Sequence, residues 1–528
     1  MKKFICLLTL FLLLFTGCSA KVQRTKDVVV LFTGDVHCAV EENIGYASLK
    51  AYNDMLFEEG KEVVLIDTGD AIQGGMIGSY SKGKGIIEIM NELGYSAMTI
   101  GNHEFDYSVD NIISLEDKAD FPFLSCTFYD LRTNELVFEP YTFIEADGLK
   151  IAIIGITTPE TITSSTPTFY TDENNIFIYG FSTGSEELWK QVQKTVDEVN
   201  RKGADIVIAA SHLGSVQGYQ YCCIDMIENT AGIDVVLDGH SHSVIEGNTV
   251  ENKDGENVLL ASTGEKLNNI GYLEIAVDGS VTSNLVDTYE DKDETVTLKI
   301  EEIKADYKEE MSKVIATINA PLLINDPETS LRMVRNRETN MGDFVADAYR
   351  YAGNSDVAMI NSGGVRSDIL EGNVTKEMVY NVNPFGNMLC KVSIKGKEIL
   401  KMLEIGAASL PEENGAFMQV SGMTYTVDTS IPSSVKKDEK GMVVSIDGEY
   451  RVKNVLINNE PINLDKDYTL TSVNYILKNM GEGITFEDSV LIMDDFMVDA
   501  DALIAYIQTV DVDLLYANPY GDGRIIIK

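Results

Sequence analysis

Positive charge is scarce in this chain: 42 lysines and arginines stand against 83 aspartates and glutamates, a formal net charge of −41. A field that negative repels nucleic acid and anionic membrane, which argues against a broad polyanion-binding surface and against nucleic-acid polymers as partners. An anionic substrate would need metal ions or a local arginine cluster to reverse the field at its site. Cysteine is also thin. Beyond the N-terminal segment, Cys38, Cys126, Cys222, Cys223 and Cys390 are scattered, odd in number and without a Cys-x-x-Cys pair. No disulfide framework or cysteine zinc site follows from them, and the core must hold the fold. Long apolar runs are missing except at the start. There Lys2 and Lys3 precede the apolar Phe4–Phe15 and the small residues Thr16-Gly17 before Cys18. That anatomy is a signal peptide, too short for a stop-transfer helix.

Cys18 resembles the acylated cysteine of a bacterial lipobox. Residues 1–20 therefore read as a lipoprotein signal and anchor region. The chain is expected outside the cytoplasm, on the outer side of the cytoplasmic membrane or in the periplasm or cell envelope, touching membrane only through that anchor. A plain secretory signal is the alternative.

What is present is an ordinary globular balance, 44% apolar and 24% charged, over a length that calls for two or three domains. Val28–Phe32, Val63–Ile66, Ala97–Ile100, Ile151–Ile156, Ile206–Ala210 and Val235–Leu237 are apolar without alternation, as strands buried on both faces are. Helical periodicity at Gly85–Leu93 and Glu186–Lys202 separates them. The fold class is α/β, with residues 27–290 forming a layered first domain. The charged Asp291–Lys313 carries Val296, Ile300, Ile303, Tyr307, Met311 and Val314 at helical spacing, so 291–321 reads as a helical connector. Residues 322–528 form a mixed α/β second domain, with helices expected at Met341–Tyr351 and Lys395–Gly406.

Polar residues follow the apolar runs in a telling order. They are Asp35-Val36-His37, Asp67-Thr68-Gly69-Asp70, Gly101-Asn102-His103-Glu104, Ser211-His212 and Asp238-Gly239-His240-Ser241-His242. Each group lies just past the carboxyl end of a strand, where open α/β sheets place their sites. The chain has five histidines, and all five are in these groups. Imidazoles mixed with carboxylate and amide oxygens suit borderline divalent ions such as zinc, manganese, iron or cobalt, not an all-oxygen calcium cage. Two such ions about 3.5–4 Å apart can clamp a nucleophile and a phosphoryl group together.

These motifs, in this order, resemble those of the calcineurin-like metallophosphoesterases. The Gly101–Asp106 form and the second half resemble the 5′-nucleotidase and UDP-sugar hydrolase branch, over nearly the whole mature chain. The resemblance implies an α/β/β/α catalytic domain and a substrate-binding C-terminal domain, with hinge motion between them. It implies Asp35, His37 and His242 on one metal, Asn102, His212 and His240 on the other, and Asp70 bridging the two. Some nucleotidases of this branch carry an amide where His242 stands. His103, oriented by Asp106, resembles the family's catalytic dyad, which stabilises phosphoryl charge or protonates the leaving oxygen. Asp106 as a mere helix cap is the alternative.

Arginine is scarce too, with ten in the chain, yet Arg332, Arg335 and Arg337 fall within six residues and Arg366 closes Asn361-Ser362-Gly363-Gly364-Val365-Arg366. A planar guanidinium suits phosphate, and paired glycines let backbone approach a ligand. Arg332 reads as a salt bridge, and Arg337 has no assignable role. By resemblance, Arg335, Asn361, Gly363, Gly364 and Arg366 contact substrate, while Phe385 and Tyr475 sandwich a base; aromatic faces stack on any base. Tyr475 replaces the usual Phe, and Met480-Gly481-Glu482-Gly483 stands for Gly-Gly-Asp-Gly, one residue late. Glu482 retains the ability to accept from ribose hydroxyls. The expected reaction is two-metal hydrolysis of nucleotide phosphomonoesters. Cyclic 2′,3′-nucleotide and 3′-nucleotide cleavage, UDP-sugar pyrophosphate hydrolysis, and a non-catalytic nucleotide-capturing lipoprotein are the alternatives.

Overall fold

The computed structural model describes residues 24–174, 176–182, 184–216 and 221–528. The leader at 1–20 and the lipidation expected at Cys18 lie outside the described residues, among which no helix is long and apolar enough to cross a membrane.

Two six-stranded sheets build the first half. One runs, in spatial order, Val281–Val286, Ile270–Ile275, Val28–Thr33, Glu62–Asp67, Ala97–Thr99 and Phe123–Leu124, the last four parallel. The other runs Val244–Glu251, Asn257–Thr263, Val235–Asp238, Ile206–His212, Leu149–Thr157 and Tyr141–Ala146, parallel except at its edges. Val28, Val30 and Phe32 turn inward against Ile153, Ile208 and Leu237 of the facing sheet. Val29 and Leu31 turn outward against Leu49, Ile86 and Met90. Both faces are buried, which is why the strand sequence is a continuous apolar run. On the outer face of the second sheet, Ala152, Ile154 and Ile156 meet Leu188, Val192, Val196 and Val199 of the amphipathic helix Ser185–Arg201. The layering is helix, sheet, sheet, helix.

The charged helix Glu294–Met311 begins at Asp293, whose carboxylate accepts from Val296 N at 2.8 Å. It buries Val296, Ile300 and Tyr307 against the helical layer of the first half, with Ile303 and Met311 alongside. Val314 departs from the expected stripe. The helix ends at Met311, and Val314 opens a strand, Val314–Ile318, whose first residue is exposed and which pairs with Gly372–Thr375 of the second half. The second half holds a mixed five-stranded sheet in the order Met418–Ser421, Val357–Asn361, Asp467–Val473, Met388–Lys395 and Ser489–Val498. Helix Asn340–Gly353 packs on it, started by Thr339 Oγ1 accepting from Gly342 N at 2.9 Å.

Candidate metal centre and substrate pocket

Strand register sets the site. Thr33 lies beside Asp67 in the first sheet and Ser211 beside Asp238 in the second, so the carboxyl ends come level and the following residues share one edge. The backbone there is unusual. Asp35, His37, Asp70, His240 and His242 all have positive φ, between 48° and 74°. For non-glycine residues that conformation costs roughly 1–3 kcal/mol each and persists only when neighbours enforce it. The neighbours are each other: Asp35 N donates to Gly69 O at 2.9 Å, His37 N to Asp70 O at 2.9 Å, and Cys38 N to Ala71 O at 3.1 Å. Gly101 is required as well, because a Cβ there would stand 2.3 Å from Asp70 Oδ1.

Glu104 ties these loops together, a role the sequence reading did not assign although it is part of Gly-Asn-His-Glu. Fully buried, its carboxylate accepts from the backbone N–H of Gly101 (2.7 Å), Asp70 (2.8 Å), Ala71 (2.8 Å) and Ile72 (3.3 Å). It therefore clamps the Asp70 loop to the Asn102-His103 loop.

All five histidines converge. Ring centroids lie 5.3 Å apart for His37 and His103, 5.2 Å for His37 and His242, and 5.2 Å for His212 and His240. Ligand atoms of Asp35, His37 and His242 fall within 4.8 Å of one another, as do those of Asp70, His212 and His240. Asn102 Oδ1 is 2.8 Å from His240 Nδ1. Asp70 stands between the clusters, with Oδ2 3.1 Å from His212 Nε2 and 4.0 Å from His37 Nε2, while Oδ1 accepts from His103 N at 2.8 Å.

The donor set fits divalent ions. His37 Nδ1 faces Gln73 O at 3.1 Å and His212 Nδ1 faces Thr68 O at 2.8 Å. A carbonyl can only accept, so each Nδ1 carries a proton, and each Nε2 is left to take a second proton or a metal ion. His37 Nε2 then stands 3.2 Å from His242 Nε2, and His212 Nε2 3.1 Å from the Asp70 carboxylate. Acceptor atoms facing one another need a cation, a proton or a metal ion, between them. Burial, with Arg366 adding to it, holds His37 well below the usual imidazole range, and burial pushes His242 down to about 4, so both rings are neutral, as a metal ligand must be. Burial opposes the His212 cation too, but Asp70 and Asp35 carry its pKa up to about 10. The cluster attracts positive charge.

His103 Nδ1 lies 2.6 Å from Asp106 Oδ2, both largely buried. Asp106 does not cap the next helix. Ser108 does, its Oγ accepting from Asn111 N at 3.3 Å.

A cavity of about 480 Å³ opens on these residues and is walled by both halves, from Asp70, Asn102, His103 and His240 across to Arg335, Asn361, Arg366, Phe385, Tyr475 and Glu482, with Gly363 and Gly364 alongside. Arg335 and Arg366 come from distant loops, and Arg332 joins them. Arg332 does make the expected salt bridge, to Glu413 Oε2 at 2.6 Å, but it also lines the cavity; Arg337 is exposed. Burial disfavours the Arg335 cation, and the charges of Arg332 and Arg366 add to this, pulling its pKa down to about 9; burial and Arg332 lower Arg366 likewise. Crowded guanidiniums of this kind are relieved by an anion. The Phe385 ring lies 5.8 Å from both the His103 ring and the Arg366 guanidinium. Tyr475 spans the halves, its hydroxyl donating to Thr163 O at 2.8 Å and accepting from Glu482 N at 3.2 Å. Glu482 Oε1 accepts from Asn361 Nδ2 at 3.1 Å, and its loop turns through left-handed backbone at Met480 and Glu482. Glu160, 3.5 Å from His240, and Lys437 also line the cavity; no motif in the sequence marked either.

Residues 28–244 match the family described as calcineurin-like phosphoesterase, and residues 314–488 match the 5′-nucleotidase C-terminal domain. Fold and site thus define a two-domain metallophosphoesterase, a metal-dependent phosphoester hydrolase. Within that class the chain belongs to the 5′-nucleotidase family. A 5′-nucleotidase of Vibrio parahaemolyticus is 26% identical over 87% of this chain and 86% of its own length. Protein UshA of Escherichia coli is 25% identical over 98% of each. The crystal structure of a 5′-nucleotidase precursor from Thermus thermophilus, 26% identical, covers 95% of this chain and 99% of its own with a TM-score of 0.80.

Proposed function

We propose that this enzyme hydrolyses nucleotide phosphomonoesters to nucleoside and phosphate outside the cytoplasm, tethered through Cys18. The observation that carries the proposal is a single cavity with a double metal-ligand cluster on one wall and arginines with two aromatic rings on the other. Residues 27–290 act as the catalytic domain, 291–321 as the connector and 322–528 as the substrate-binding domain. Asp35, His37 and His242 would hold one divalent ion and Asn102, His212 and His240 the second, with Asp70 shared; zinc, manganese, iron and cobalt all suit this donor set. When bound, such a pair supplies positive charge to the phosphoryl oxygens and a nucleophilic hydroxide at neutral pH.

The chain's own residues do the rest. Arg335 and Arg366 bind the anionic end of the substrate and orient it. Phe385 and Tyr475 take the base between them, and Asn361 and Glu482 receive the sugar hydroxyls. Asp106 fixes the His103 ring, which stabilises the phosphoryl charge and delivers a proton to the departing nucleoside oxygen. The nucleophile attacks in line with that oxygen, and no covalent enzyme intermediate forms.

The test is hydrolysis of AMP, UDP-glucose and 2′,3′-cyclic AMP by metal-loaded protein, with phosphate and nucleoside read separately. Release of both products from AMP, abolished by a chelator, is the expected result. Turnover of the cyclic or sugar nucleotide with AMP untouched would sink the monoester reading.

A further inference from the structure

A carboxylate outside both ligand clusters is aimed at one of them. Glu265 follows the strand Asn257–Thr263 in the second sheet, at the same carboxyl edge as the motifs above. Its Oε2 lies 3.0 Å from His242 Nδ1, the ring nitrogen turned away from His37. That buried nitrogen is otherwise unpartnered, Glu265 being the carboxylate in ion-pair contact with it, and no lysine or arginine forms a salt bridge with Glu265 among the described residues.

The loop that carries Glu265 is built for this placement. Gly264, Lys266 and Leu267 all have positive φ, at 79°, 54° and 53°. Backbone bonds hold the turn to the loops bearing the ligands: Gly264 N donates to Ser243 O at 2.9 Å and Lys266 N to Asp35 O at 2.8 Å. Asn43 Nδ2 caps Lys266 O at 2.8 Å, and Leu267 is buried beneath. Left-handed backbone before and after one acidic residue, strained at Lys266 and Leu267 and tied to both neighbouring ligand loops, fixes where its carboxylate points.

We propose that Glu265 is a positioning residue for His242: it holds the proton on Nδ1, so that Nε2 presents its lone pair beside His37 Nε2 and Asp35. A metal-bound imidazole commonly gives its other N–H to a carboxylate, which fixes the ring and makes it a better donor. The inference rests on His242 being a metal ligand.

The test measures metal stoichiometry and affinity by chelator competition on E265Q, H242A, H242Q and E265Q/H242Q, together with the melting temperature of each metal-free protein. E265Q is expected to weaken one of the two metal equivalents about 10–100-fold, leaving the other and the metal-free melting temperature as in the parent. In the H242Q background the same change should add less than about 2-fold, because the partner is already gone. Equal loss in both backgrounds, or E265Q with both equivalents at parental affinity while H242A loses one, overturns the role of Glu265. If H242A itself keeps both equivalents, the assignment of His242 as a ligand fails instead.

Discussion

Asp70→Asn is the sharpest perturbation of the proposed centre. The substitution keeps the shape and removes one charge. Asp70 Oδ1 accepts from His103 N–H, so the amide oxygen must take that place and the NH2 must take the place of Oδ2. A donor then points at His212 Nε2, 3.1 Å away, and towards His37 Nε2 at 4.0 Å, where the carboxylate had offered a shared lone pair. At an effective dielectric near 20, a unit positive charge 3.1 Å from that oxygen is held by about 5 kcal/mol. Discounting for relaxation to about 4 kcal/mol, the loss corresponds to roughly three powers of ten in turnover. The metal-free protein should behave differently. Without the carboxylate His212 gives up its second proton and accepts from the new N–H, so the buried ion pair is lost as a unit and the melting temperature should move by no more than about 3 °C. Phosphate release, bound metal per chain, and melting with and without chelator read these terms separately. A variant that binds two metals and keeps more than about a tenth of parental turnover would refute the reasoning, since a tenth is only about 1.4 kcal/mol.

Glu104→Gln leaves two of the four clamped backbone N–H groups facing an amide N–H2, at about 1–3 kcal/mol each. Relief of the buried charge offsets part of this, leaving a net loss of about 2 kcal/mol. Fluorescence of Trp189, the single tryptophan, which lies in the first half, reads the urea midpoint, and an unmoved midpoint counts against the clamp. Inorganic phosphate at about 100 times its dissociation constant should stabilise the enzyme by about 2.7 kcal/mol, and Arg366→Ala should remove most of that; equal thermal shifts in both proteins would contradict the anion site. Phe385→Ala should raise KM for AMP by the equivalent of about 1–3 kcal/mol, while a phosphomonoester without a base changes by far less. The same loss on both substrates would rule out base stacking.

The candidate metal cluster was legible because its information is local. A strand buried on both faces must be apolar throughout, and its end is the first place the chain can turn and show a polar group. Five such ends, each followed by aspartate, asparagine or histidine, point to the candidate ligands that the fold brings together. The same rule applied to Asn257–Thr263 would have found Glu265. Glu104 was hidden differently: its partners are backbone N–H groups, which every residue has.

The charge balance likewise required a local reversal, and the scarce arginines marked where it would come from. Tertiary packing alone decided what faces what. Arg332 forms its salt bridge and still borders the cavity; Phe385 reaches the ring of His103; Tyr475 bonds to Thr163 across the two halves. Val314 leaves the helical stripe because a strand in the other half takes it up. Periodicity reports which side of an element is buried, but not which distant element buries it. That choice is made by shape and hydrogen bonding between segments hundreds of residues apart, and no local pattern carries it.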